Sequence, residues 1–406
     1  MKNYNTVKSH FESVLIHHPA IRPEVTLTID GVRIIASFED DQYLGFEGVS
    51  STKQGVCSHC GQIITRFKQY RTSYTTIARY NQKNLVLKLS QKMYHCPDCR
   101  SSTTERLLKK SGKYQKTDSF IQGMLTSLKE PISFSAVARF HKLSVTNLIW
   151  HFDKAHFPHT QISRETVRNL SVDEVGLIKF KDANYQFVIM DSDTKQILDI
   201  LKTRQVREIQ DYLGTHYTGI QTFTQDLWKP YRRAAYDLFP ETKVLTDRFH
   251  VVRQFSWAFA RSRIELARRQ QKRTCGNWKL LTKARHKLDA RGQARLEALL
   301  ADNKELSILH QAKEMALELF RCRDSSSYLS LLPAFKEYID LAELPEFQKA
   351  YRSLENWHTE IINMFDHPYS NGAMERANRT IKQAKNIAFG FKNLSRATRL
   401  IQYRVN

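Results

Sequence analysis

The chain has 406 residues, 41% hydrophobic and 26% charged, with only 10 Pro and 14 Gly, which excludes a fibrous or disordered polymer and exceeds the size of one ordinary core. The longest apolar runs, such as Val14–Ile16, fall far short of a bilayer span and no leader peptide is recognisable, so a cytoplasmic protein is expected. Against 41 Asp and Glu stand 63 Lys and Arg, a net charge of +22 that points to a polyanionic partner, for which nucleic acid is the usual case.

The charge is zoned. Residues 1–50 form an acidic N-terminal segment with 4 basic and 7 acidic side chains, whereas residues 51–150 hold 17 and 4. Residues 251–300 hold 13 and 3, and the stretch after Glu375 has eight Lys and Arg and no acid. Several basic zones along one chain suit several contacts on a long ligand such as duplex DNA.

In chain order, the first chemistry is Cys57-Ser-His-Cys60 and Cys96-Pro-Asp-Cys99, with 35 residues between them. Two such knuckles supply four soft ligands for one closed, structural tetrahedral Zn²⁺ site. A disulfide pair is the alternative, disfavoured where thiols stay reduced. His59 and His95 read as bystanders. Leu85–Ser90 alternates as a strand leading into the second knuckle.

Asp118–Lys129 has helical spacing and stops at Glu130-Pro131. Ala136, Val137 and Phe140 then share one short helix face, Leu143 occupies a turn, and Ser144 caps a helix bearing Val145, Leu148 and Ile149. That is a helix-turn-helix pattern, with Thr146, Asn147 and His151 as the residues expected to read DNA.

From residue 170 strands alternate with helices. Strands are expected at Leu170–Ile178, with Asp173 in the middle, at Tyr185–Met190, Gln196–Leu201, Ile220–Asp226 and Lys243–His250, and helices at Gln205–Leu213 and Leu227–Leu238. Three strands, helix, strand, helix, strand is the order of a ribonuclease-H-like α/β core. Phosphodiester cleavage by two Mg²⁺ (or Mn²⁺) ions needs clustered hard oxygen ligands. Asp173 and Asp226 supply two, and Glu375 in Pro368-Tyr-Ser-Asn-Gly-Ala-Met-Glu-Arg-Ala-Asn-Arg is the candidate third, sharing a helix face with Asn378 and Arg379. Arg376, Lys382 and Lys385 would line DNA beside the metals. Glu174 points away from Asp173 if the segment is extended. Asp247, with His250 three residues on, competes for the role of second acid; Asp226 is preferred on topological order, leaving Asp247 and His250 as supporting residues.

Between Val251 and Trp357 strand alternation is missing, and Arg253–Gln271, Trp278–Leu300, Glu305–Phe320 and Pro333–Ala342 read as helices of an all-helical insertion. Trp257, Trp278 and Trp357 read as core anchors. Cys275 and Cys322 have no assigned role.

Together the two Cys-x-x-Cys knuckles, Ser-Val-Asp-Glu, Gln-Asp-Leu-Trp, Thr-Asp-Arg-Phe-His and Ser-Asn-Gly-Ala-Met-Glu-Arg-Ala-Asn-Arg resemble bacterial DDE transposases of the insertion-sequence-L-three family, from about residue 50 onward. The resemblance implies a zinc-binding domain at 51–112, a helix-turn-helix domain at 113–165, a ribonuclease-H-like catalytic domain at 166–254 and 357–406, and an all-helical insertion at 255–356. It implies metal-dependent cleavage and strand transfer at terminal inverted repeats by a homodimer or larger assembly on DNA, with Asp173, Asp226 and Glu375 as catalytic acids. The competing reading is a DNA-binding repressor that lacks the chemistry.

Overall fold

A computed structural model describes residues 27–41, 43–109, 116–157, 163–271 and 277–406; the expected Val14–Ile16 run and Cys275 lie outside them. The chain divides into two compact units, Met1–His156 and Phe157–Asn406.

The first unit is built on a five-stranded sheet. Its strands are β1 (Val32–Glu39), β2 (Tyr43–Ser50), β5 (Phe67–Tyr80), β6 (Lys83–His95) and β7 (Ser102–Thr104), and a separate two-stranded ribbon joins β3 (Gly55–Val56) to β4 (Ile63–Ile64). The order is β1-β2-β6-β5, with β7 beside the end of β6. Alternating Leu85, Leu87 and Leu89 of β6 pack with Leu44 and Phe46 of β2, so the expected strand before the second knuckle extends well beyond Leu85–Ser90. Helix α1 (Asp118–Thr126) is capped by the Thr117 hydroxyl and closes in a single 3-10 turn at Ser127–Lys129. Helices α2 (Phe134–Phe140) and α3 (Val145–Lys154) follow, each capped by a serine, Ser133 and Ser144, whose hydroxyl accepts from the third residue on. Their connecting turn needs a left-handed residue, and Lys142 takes φ +53° where a glycine would be unstrained.

The second unit holds a mixed sheet ordered β10-β9-β8-β11-β12, from β8 (Asn169–Val175), β9 (Gln186–Asp191), β10 (Ile197–Leu201), β11 (Thr222–Gln225) and β12 (Lys243–Thr246). β9 runs antiparallel to β8 and β10, while β8, β11 and β12 are mutually parallel neighbours. On one face Leu170, Val172 and Phe223 pack against α4 (Val206–His216) and α5 (Lys229–Leu238). On the other, Val175, Val188 and Met190 pack against residues of two later helices, Met374, Ala377 and Ile381 on one and Ala397 and Ile401 on the other.

The expected strand Lys243–His250 ends early. The Asp247 carboxylate accepts from the Phe249 amide and starts α6 (Arg248–Arg269), so His250 is helical. The expected helix Trp278–Leu300 is three pieces: α7 (Trp278–Thr282), a 3-10 turn at Arg285–Lys287 and α8 (Ala290–Ala301), whose entry is capped by Asp289. Then come α9 (Lys304–Leu319), α10 (Ser325–Leu341), which carries Pro333 in its interior, α11 (Pro345–Asn356) and α12 (His358–Asp366). These share one core with α6, built on Phe255, Phe259, Phe335, Phe347, Trp357 and Phe365. Helices α13 (Gly372–Ile387) and α14 (Leu394–Val405) return to the sheet.

Of the three tryptophans expected as anchors, only Trp357 is buried, at 3% exposure; Trp257 is 51% and Trp278 49% exposed, because no helix among the described residues covers the faces of α6 and α7 that carry them. Trp357→Ala is therefore expected to destabilise by about 3–5 kcal/mol, and Trp257→Ala by less than about 0.5 kcal/mol. Denaturant unfolding of both variants measures this.

Candidate functional site

Three parallel strands end on acids. Asp173 lies near the C-terminal end of β8, Asp226 follows β11 directly and Asp247 follows β12, so adjacent strands present carboxylates at one edge of the sheet. In parallel α/β sheets that edge is where ligands bind. Two helices supply the rest. From α6, His250, Arg253, Gln254 and Trp257 lie three to four residues apart on one face, and from α13 Glu375, Asn378 and Lys382 do the same. A cleft of about 480 Å³ is lined by Asp173, Asp226, His250, Arg253, Asn378 and Lys382, with Trp228 and Trp257 among its other walls.

Asp173 accepts from the Asn378 side-chain amide at 2.5 Å and from the Glu174 amide at 2.7 Å. Glu174, the next residue on the strand, lines the same cleft, held by Arg204 at 2.9 Å and the Tyr231 hydroxyl at 2.7 Å. His250 bridges the other two acids: Nδ1 is 3.3 Å from Asp226 and Nε2 is 3.7 Å from Asp247. Arg253 lies 2.9 Å from Nδ1 and has only protons to give, so the neutral ring keeps its own proton on Nε2, towards Asp247. Glu375 is exposed and outside the tight Asp226–Asp247–His250 group, but its charge acts on Asp247.

The acids destabilise one another. Burial, then the charges of Asp173 and Asp247, push the Asp226 carboxyl up to about 8. Burial, then Glu375 and Asp173, lift Asp247 to about 6 against the pull of its helix-capping bond, and burial also raises Asp173. Burial, helped by Arg253, lowers His250 to about 4, so the imidazole stays neutral and offers little compensating charge. Two buried acceptors here, Asp226 Oδ1 and Asn378 Oδ1, have no donor among the described residues. Crowded carboxylates with unfilled oxygen lone pairs are the donor set that a hard divalent cation satisfies.

The other expected residues divide. Thr146 is exposed and Asn147 half-buried, but His151 is buried at 4% exposure, packed on Trp150 and pushed down to about 4 by burial, so it does not reach a groove. The apolar stripe of α3 extends one turn further than Val145, Leu148 and Ile149 suggest and takes His151 with it. Arg376, Arg379 and Lys382 are exposed, whereas Lys385 is half-buried and donates to the Gly176 carbonyl at 2.5 Å, which ties it to the fold. The sequence reading missed Arg253, Arg204 and Tyr231; the spacing of Arg253 from His250 on one helix was the available signal.

In the first unit, Cys57, Cys60, Cys96 and Cys99 come together with all four Sγ atoms within 4.8 Å of one another. Cys57–Cys99 and Cys60–Cys96 are each 3.6 Å apart. That is far beyond a disulfide bond of about 2.05 Å and close to the roughly 3.75 Å edge of a tetrahedron with Zn–S of about 2.3 Å. The Ser101 hydroxyl lies 3.3 Å from Cys57 Sγ and 3.0 Å from Cys99 Sγ, which lowers both thiols, Cys57 to about 5. A Cys₄ cluster of this shape fits zinc.

A family model described as a transposase, of the insertion-sequence-L-three DDE type, matches residues 170–401. The chain belongs to that transposase family. It is 23% identical over 366 residues to the transposase for insertion sequence element IS1001 of Bordetella parapertussis, a match spanning 84% of this chain and 87% of the relative. A Drosophila P element transposase strand transfer complex aligns with a TM-score of 0.36 at 10% identity, over 70% of this chain and 91% of that one. Among the described residues of this transposase, no helix is long and apolar enough to cross a membrane.

Since the folded state raises the Asp226 pKa from an ordinary value of 3.8 to about 8, the group costs the metal-free fold stability that is lost as pH rises through that interval. Asp226→Asn should therefore stabilise metal-free protein at pH 9 by about 1–3 kcal/mol, the scale of an ill-compensated buried polar group, with little gain at pH 4. Urea unfolding at the two pH values tests it; equal effects at both would refute the electrostatic origin.

Proposed function

We propose that the chain is an active DNA transposase that binds terminal inverted repeats and catalyses divalent-metal-dependent strand cleavage and transfer. The observation that carries the reading is the set of carboxylates at the ends of three adjacent parallel strands, approached from a later helix by Glu375 and Asn378. The sheet order, third-second-first-fourth-fifth in chain order, supports a ribonuclease-H-like catalytic domain at 166–254 and 357–406, with 255–356 as its helical insertion. In the first unit, 51–112 is the zinc-binding domain and 113–165 spans the helix-turn-helix, with Thr146 and Asn147 at the DNA.

Asp173, Asp226 and Glu375 are the metal ligands in this proposal. Asp226 is favoured over Asp247 because Asp247 is committed to capping α6, whereas Asp226 Oδ1 has no donor among the described residues. When bound, Mg²⁺ or Mn²⁺ would supply Lewis acidity for the attack on the scissile phosphate. The chain's own residues do the rest: Asn378 fixes the Asp173 rotamer, His250 with Arg253 separates Asp226 from Asp247, and Arg376, Arg379 and Lys382 present positive charge to the DNA backbone. Joining two element ends requires at least two copies of the site, hence a dimer or larger assembly on DNA. A repressor without catalysis needs no such clustered buried acids, which carry a stability cost.

Asp173→Asn, Asp226→Asn and Glu375→Gln are each expected to reduce strand cleavage by about 10²–10³-fold, the scale of losing an electrostatic stabiliser of the transition state, with duplex binding unchanged. Cleavage of an end-labelled duplex containing the element's terminal repeat measures it. Activity retained in Asp226→Asn but lost in Asp247→Asn would reassign the second acid. Elemental analysis should also find one zinc per chain, and Cys96→Ser should lose it together with the fold of the first unit.

A further inference from the structure

Between Lys53 and Pro97 there are eight Lys and Arg residues and no acid. Four of them are engaged. Lys83 pairs with Glu39 at 2.8 Å and Lys88 with Glu47 at 2.7 Å, Lys92 donates to the Thr52 carbonyl at 2.6 Å, and the Arg79 guanidinium lies 4.0 Å over the Phe140 ring. Three of the others, Arg66, Lys68 and Arg71, fall within six residues at the start of β5 and have no carboxylate partner among the described residues, Lys68 donating at 3.1 Å to the exposed Ser102 hydroxyl, which leaves its charge uncompensated.

This stretch is unusual in its exposure. Every residue from Thr65 to Thr72 is exposed, so both faces of the strand are bare, and β5 ends the sheet order, its outer edge paired among the described residues only at Thr76–Lys116. A β-bulge between Phe67 and Gln69 makes Lys68 an extra residue opposite β6. An extra residue resets the two-residue alternation. Phe67 and Tyr70, three apart, consequently meet with ring centroids 5.0 Å apart, at 48% and 51% exposure. Cations alone could be explained as protection of an open edge against strand pairing. Two half-exposed aromatic rings beside them defeat that purpose, and a bulge that gathers them is a feature of a surface that becomes covered.

We infer that the Thr65–Thr72 edge of β5 is a duplex-DNA contact site, distinct from the α2–α3 pair, in which Arg66, Lys68 and Arg71 neutralise successive phosphates and the Phe67–Tyr70 pair packs on the sugars between them. The charge complementarity selects the ligand: three uncompensated cations within six residues, in a segment of 45 residues without an acid, match the one-charge-per-phosphate repeat of DNA. The contact reads backbone, not bases, and so adds affinity without sequence preference. It rests on the proposed transposase reading.

The test uses zinc-loaded full-length protein and a fluorescein-labelled 30-base-pair duplex of unrelated sequence, with anisotropy titrations from about 50 to 300 mM NaCl. Each phosphate contact contributes about 0.9 to the slope of log affinity against log salt. Arg66→Gln, Lys68→Gln and Arg71→Gln combined should lower that slope by about 2–3, and Arg71→Gln alone by about 1. Neutralising three exposed cations of the second unit, Lys181→Gln, Arg207→Gln and Lys229→Gln, should leave it unchanged. Phe67→Ser with Tyr70→Ser should weaken binding at least about threefold at constant slope, as lost stacking area does. An unchanged slope in both the triple and the single variant, or an equal fall in the second-unit control, overturns the site; unaltered affinity in the aromatic pair overturns the role of the rings. Wild-type protein that does not bind the duplex overturns the transposase reading itself.

Discussion

The second unit is organised around a repulsion. The charges of Asp173 and Asp247 raise Asp226, and those of Glu375 and Asp173 raise Asp247, in surroundings dry enough that burial is the largest contribution for each of the three aspartates. No fold gathers such groups by their own attraction. They are held where they are by the parallel pairing of β8, β11 and β12, by the Asp247 cap on α6 and by the apolar face of α13, whose Met374, Ala377 and Ile381 pack on the sheet. The hydrophobic burial beneath the acids therefore stabilises what electrostatics alone would push apart. His250, Arg253 and Asn378 soften the repulsion locally without neutralising it.

Much of this was legible in the chain. Alternation and turn residues gave all five strands of the second sheet to within a few residues, since each strand is short, buried and bounded by polar turns. The knuckle spacing gave the cysteine cluster because four thiolates at that spacing have few other uses. What the sequence hid were matters of tertiary cover. Lys243–His250 looked like one strand because Phe249 and His250 continue its texture, and only the Asp247 cap decides that helix wins. His151 looked exposed because a histidine after a tryptophan is ambiguous, whereas the α1–α3 packing buries it. Trp257 and Trp278 looked like anchors by residue type, a prior that the actual helix packing overrules. Glu375 came from a motif, while its companions Arg253 and Arg204 required geometry.

The net charge resolves into two kinds of basic residue. Some, such as Lys88 beside Glu47 and Lys385 beside the Gly176 carbonyl, are spent inside the fold. Others, such as Arg66, Arg71, Arg376 and Lys382, face solvent. A composition figure cannot separate the two, although only the second kind is free to meet a polyanion.

The separation of 149 positions from Asp226 to Glu375 has a consequence for the order of synthesis. The first two acids and their strands leave the ribosome while the helical region is still being made. Glu375 and Asn378 arrive after it, on a helix whose neighbour α14 is itself fixed by a bond from Gln402 to the Leu198 carbonyl at 2.8 Å. A nascent or truncated chain therefore carries the whole first unit before it carries a complete acid cluster. Under the proposed function, in which the first unit holds the DNA and the acids cut it, such a fragment would occupy DNA without cutting it, and incomplete copies would compete with the finished one.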